Sequence, residues 1–188
     1  MRRTTIATLG TSLLAISLSS PVPAQQAGHP HQALTSEQKR QQAFPMLGRA
    51  MFIEVDSDKT NGTVAVVRVF ASPKYGPPQL PRVNTREDAV VVIVRGHYRF
   101  RLGSEEIDAP TGTILFMPRG VPHLLQKIGD EPGETLLVLV PGGLEKMFRE
   151  ISTAQIELPR DLAKLQQIAA KYGVKGVPPE SMPFSNAR

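Results

Sequence analysis

Between Met51 and Val140 the sequence breaks into short runs rich in Val, Ile, Leu and Phe, each interrupted by Gly, Pro, Asn or Asp. Short strands at regular spacing argue for a β-sandwich or barrel rather than for alternating strand and helix. The candidate strands are Met51–Val55, Thr63–Phe70, Ala89–Val94, Tyr98–Leu102, Thr113–Met117, His123–Ile128 and Thr135–Val140. Asn61-Gly62 and Arg95-Gly96 read as hairpin turns, since such pairs accept the positive φ that tight turns demand. After Pro141-Gly142-Gly143 the period becomes helical, with Leu144, Met147, Phe148 and Ile151 on one face. A second helix is expected from Asp161 to Tyr172, placing Leu162, Leu165, Ala169 and Tyr172 together and ending at Gly173.

The chain has 188 residues, which suits one domain able to bury roughly two-thirds of its unfolded surface. With no cysteine it has no disulfide and no thiolate ligand, so any metal must be held by His, Asp or Glu. Residues 1–24 read as a secretory signal, with Arg2 and Arg3, an apolar stretch from Ile6 to Leu18 and the small-residue site Val22-Pro23-Ala24. The stretch is shorter than the ~20 apolar residues a membrane span needs. The expected location is therefore outside the cytoplasm, periplasmic or secreted, with no membrane segment in the mature form. Losing residues 1–24 lowers the formal charge from +5 to +3. There is no basic segment with interleaved aromatics and no tryptophan, which argues against nucleic acid as a partner. Residues 25–48 are expected to be a tail or lead-in, 49–142 the barrel, and 143–188 a helical extension and tail. His29 and His31 lie in the lead-in as His-Pro-His, a pattern more often solvated than functional.

The segment from Gly112 to His123 spaces Gly112, Pro118, Gly120 and His123 by five, one and two residues. Upstream, Gly76, Arg82, Asn84, Ala89 and Gly96 are separated by five, one, four and six residues. In both the spacing and the turn residues, these segments resemble the two motifs of the cupin family. The resemblance runs from about Arg68 to Pro179, taking in the Pro-Gly-Gly before the first helix and the late Lys171-Tyr172-Gly173-Val174. It is similar to the small cupins of quercetin dioxygenase type. The resemblance implies an all-β fold, a double-stranded β-helix (jelly-roll) barrel followed by two C-terminal helices.

In that family, two His and a Glu of the first motif and the His of the second hold a divalent iron, manganese, nickel, copper or zinc ion. Here Arg82, Asn84 and Ala89 stand at the first three positions, and Lys127 replaces an Asn that often follows the second. Only His123 is kept, and one imidazole does not make a site. The expectation is therefore no metal cofactor. The alternative is a rebuilt divalent site using His123 with Glu87 or Asp88. A one-residue slip would reverse every side chain of the strand, which disfavours Asp88, while Glu87 has the right parity but precedes the strand.

Strand alternation puts His123, Leu125 and Lys127 on one face and Arg82 with Asn84 on another, both inward if the family register holds. The former cation position would then be lined by Arg82, Lys127, His123 and Asn84. Such donors suit a small carboxylate or other anion. Arg82 could instead lie in a loop, and His123 could be a core residue satisfied by a carbonyl. His97 is expected outside the barrel, and Arg119 reads as a solvated loop residue. Three functions follow: a metal-free module, or degenerate enzyme, that binds an anionic ligand; a metal-dependent oxygenase or isomerase; or a homodimeric assembly protein.

Overall fold

The structure is a computed structural model describing residues 33–72 and 79–184; the expected signal, His29, His31 and Gly76 lie outside these residues. The described elements, in chain order, begin with helix α1 (Ser36–Gln41) and strands β1 (Phe44–Met46), β2 (Arg49–Val55), β3 (Ala65–Ala71) and β4 (Arg82–Asn84). The barrel continues with β5 (Asp88–Arg95), β6 (His97–Leu102), β7 (Glu105–Ala109), β8 (Ile114–Met117), β9 (His123–Ile128) and β10 (Gly133–Val140). Helices α2 (Leu144–Thr153) and α3 (Leu162–Lys171) and strand β11 (Val174–Gly176) follow. Two antiparallel sheets result, ordered β1-β2-β3-β10-β5-β8 and β11-β4-β9-β6-β7. This is the all-β jelly roll with two C-terminal helices that the sequence implies.

The period-two pattern sets which side chains face the interior. Ala89, Val91 and Ile93 of β5 are buried, as are Tyr98 and Phe100 of β6, so apolar faces of both sheets meet in one core. His97, on the opposite face of β6, is half exposed and lies 2.6 Å from Asp108 Oδ1, outside the barrel as expected.

Turn chemistry was informative about local conformation and misleading about partners. Arg95-Gly96 does not close a hairpin: β5 pairs with β10 and β8, whereas β6 pairs with β7 and β9. Gly96, at φ +89, carries the chain from one sheet into the other, and a Cβ there would lie 3.1 Å from Pro132 O. Asn61-Gly62 does lie between paired strands, β2 and β3, but within a longer connection that contains a 3-10 turn over Ser57–Thr60.

Four strands escaped the sequence pattern. β1, β4 and β11 are three residues long, too short to show a period, and β7 begins with two glutamates. The lead-in is also more than a tail. Thr35 and Gln38 form a capping box for α1, Lys39 Nζ sits 2.8 Å from Glu54, and the Arg40 guanidinium lies 4.5 Å above the Phe70 ring. With β1 paired to β2, the boundary placed at residue 48 falls inside a sheet.

Helix α2 buries Leu144, Met147, Phe148 and Ile151, the face its period predicts. Its fully buried Glu145 receives hydrogen bonds from Ser57 N at 3.2 Å and Gly143 N at 2.7 Å. This carboxylate ties the start of α2 to the β2–β3 connection. In α3 the expected stripe holds at Leu165, which is buried, and at Ala169 and Tyr172, which pack against the core, whereas Leu162 is 39 % exposed and Ile168, outside the stripe, is buried. The difference arises because α3 packs against β11 and α2 together. Since α2 also lies on β1, the helices bridge the edge strands of the two sheets. No helix among the described residues is long and apolar enough to cross a membrane.

Candidate functional site: a basic cavity between the sheets

A cavity of about 610 Å3 lies between the sheets and extends beneath α2 and α3. Its ionisable wall residues include Arg49, Arg82, Tyr98 and His123, and among the described residues no Asp or Glu side chain contributes to the lining.

Arg82 and His123 are cross-strand partners on β4 and β9, so the spacing of the two sequence motifs brings them side by side. Arg82 Nη1 donates to Gln79 Oε1 at 3.0 Å. Burial, with the Arg49 charge second, pushes the Arg82 pKa down to about 10, while Glu87 acts in the opposite direction. Arg82 stays charged at neutral pH, but it is a desolvated cation whose strongest charged neighbour is another cation. Burial lowers the Arg49 pKa as well.

His123 is buried, and burial followed by the Arg82 charge pushes its pKa down to about 3. Its Nδ1 lies 3.2 Å from Val121 O. A carbonyl only accepts, so Nδ1 carries the proton and Nε2 is left as an acceptor. Nε2 is buried with no hydrogen-bond partner among the described residues. The ring is therefore anchored by a carbonyl on one side and open on the other. Tyr98 faces the same cavity from β6, and burial pushes its pKa up to about 12, so its hydroxyl remains a donor.

The other two residues expected at the site are buried nearby without lining the cavity. Asn84 keeps an unpartnered Oδ1, and its backbone carbonyl accepts from Gly120 N at 2.7 Å, joining the two motifs. Lys127 is diverted: its Nζ donates to Gly129 O at 2.6 Å and Ile128 O at 3.3 Å. At the end of β9 an ammonium with three protons takes the nearest carbonyls of the following turn. In its place the structure supplies Arg49, which the sequence reading missed. Arg49 shares strand parity with Met51 and Ile53 on β2, and that parity was the available signal.

The residues at the family's metal-ligand positions do not fit a metal ion. A guanidinium offers no lone pair and Ala89 offers a methyl group, which leaves the His123 imidazole and the neutral Asn84 amide oxygen, fewer than the three protein ligands such a site needs. No group of three or more metal-capable His, Cys, Asp or Glu occurs among the described residues. Asp88 points outward, where Arg119 Nη2 approaches Oδ2 to 2.6 Å and Arg119 N donates to Oδ1 at 2.8 Å. Arg119 is thus an ion-pair partner rather than a free loop cation. Glu87 is buried, and burial raises its pKa against the charges of Arg86, Arg119 and Arg82, but it does not line the cavity.

Two facing antiparallel sheets with short strands and an interior side-chain pocket define a double-stranded β-helix protein. The cupin domain model matches residues 74–139, so this stretch of the chain carries a cupin domain. Among solved structures it is similar to KdgF from Halomonas sp., at 16 % identity and TM-score 0.46, over 53 % of this chain and 85 % of that one. It is similar to Streptomyces Pac13, a nucleoside dehydratase, at 17 % identity and TM-score 0.46, over 76 % and 91 %. A double-stranded β-helix protein from Klebsiella pneumoniae aligns at 17 % identity and TM-score 0.47, over 61 % and 93 %. At these identities the likeness concerns the fold alone. No curated protein matches the sequence.

Proposed function

We propose that this protein is a metal-independent cupin that binds a small anionic molecule in its barrel. The observation that carries the reading is that Arg49 and Arg82 reach one cavity from the two facing sheets, with no Asp or Glu among the described residues that line it. Two desolvated guanidinium groups gain most from a carboxylate or similar oxyanion, which accepts several charge-assisted hydrogen bonds. A base with a pKa of about 3 takes up protons weakly at neutral pH, which favours holding a ligand over abstracting a proton.

The test is calorimetric titration with small carboxylates, using Arg82→Ala alongside the unaltered protein. Loss of the charged partner should weaken binding by about 10-fold to 100-fold, with circular dichroism confirming that the variant folds. Unchanged affinity would remove Arg82 from the site. Export rests on residues 1–24 and stays part of the proposal. A homodimer is also proposed, favoured by the outer face of edge strand β8, where Ile114 is 69 % and Phe116 57 % exposed.

A further inference from the structure

Resting on that anion reading, we propose that the ligand is amphipathic: a monocarboxylate whose head lies at Arg49 and Arg82 and whose apolar body extends beneath α2 and α3.

The cavity wall changes character along its length. Arg49, Arg82, Tyr98, His123 and Thr135 belong to the strands of the two sheets, among apolar neighbours such as Phe100 and Leu137. Towards the helices the wall is nearly all hydrocarbon, formed by Met46, Phe148, Ile151, Leu158, Leu165 and Val174. The polar side chains lining this end are Gln166 and Lys175, both exposed. Arg49 and Arg82 stand on β2 and β4, each the second strand from the edge that the helices cover. An anion between them thus has the helix-lined lobe directly beside it.

The volume and the charge pattern select the ligand class. At about 610 Å3 the cavity lies within the roughly 300–1,000 Å3 range of pockets that hold drug-sized molecules, and a compact acid would leave most of it unused. A second carboxylate placed in the helix-lined lobe would find no buried donor there, and an unpaired buried charge is strongly unfavourable. An alkyl or aromatic body meets apolar side chains instead. Leu162 lines the cavity while remaining exposed, and this marks the rim through which such a body would enter.

The experiment is calorimetric titration of the full chain with straight-chain acids from butyrate to decanoate, with succinate and octanol as comparators. Each methylene buried in the lobe should tighten binding by about 4-fold, making octanoate at least about 50-fold tighter than butyrate, succinate and octanol. Ala169→Phe, which fills the lobe from α3, should weaken octanoate at least about 10-fold and leave butyrate unchanged. Should that variant fail to fold by circular dichroism, Leu162→Asp at the exposed rim should weaken octanoate in the same selective way. Affinity independent of chain length, but lost in Arg82→Ala, would overturn the tail placement while leaving the anion reading intact. Octanol binding as tightly as octanoate, indifferent to Arg82→Ala, would overturn both, as would failure of every acid to bind at millimolar concentration.

Discussion

Lowering the pH should destabilise this protein through His123 in a way one substitution can isolate. The folded-state pKa of His123 is pushed down to about 3 from an ordinary value of 6.5, first by burial and then by Arg82. Above 6.5 the ring is neutral in both states, and its contribution to stability is complete. Between 6.5 and 3 the unfolded chain takes up a proton that the folded state refuses, so stability falls as pH falls. At pH 4.5 the expected loss from this group is roughly 3 kcal/mol, since each pH unit in the window is worth about 1.4 kcal/mol. The ring is 3 % exposed, so solvent does little to screen this effect. With a urea slope of about 2 kcal/mol per molar, the midpoint should drop by about 1–2 M between pH 7 and pH 4.5. His123→Gln keeps a polar side chain that does not titrate, while the carboxylates of the protein contribute equally to both proteins. The difference in slope between the two therefore reports His123 alone. Equal slopes would refute the reasoning, because they would mean that the ring protonates as readily in the barrel as in water.

Glu145→Ala should destabilise the fold by about 2–5 kcal/mol in urea unfolding, since Ser57 and Gly143 would each keep a backbone N–H without its acceptor. Glu145→Gln, which retains one acceptor oxygen, should lose less. If the exposed face of β8 joins two copies, light scattering at micromolar concentration should give a dimer that Phe116→Lys converts to a monomer; a monomeric unaltered protein would rule this out.

Much of the fold was legible because it depends on local periods. The alternation along Ala89–Ile93 and Tyr98–Leu102 fixed the inward faces, and the i, i+3, i+4, i+7 pattern in α2 named its buried side chains. The motif spacing placed Arg82 and His123, and β4 and β9 make them direct neighbours. Illegible parts had no period to read. β1, β4 and β11 are too short for alternation to show, and packing of α3 against β11 and α2 together buries Ile168, which its apolar stripe does not name.

By itself the sequence determined the barrel class and which residues stand at the motif positions, Arg82, Asn84, Ala89 and His123, because each is a matter of residue identity at fixed spacing. Tertiary structure alone decided which cations meet. Arg49 reaches the cavity from one sheet and Arg82 from the other, although 33 positions separate them in the chain. Lys127, read as lining the cavity, is buried but turns to the carbonyls of Ile128 and Gly129. Strand parity says which way a side chain leaves the backbone; the chain that packs opposite decides what it meets.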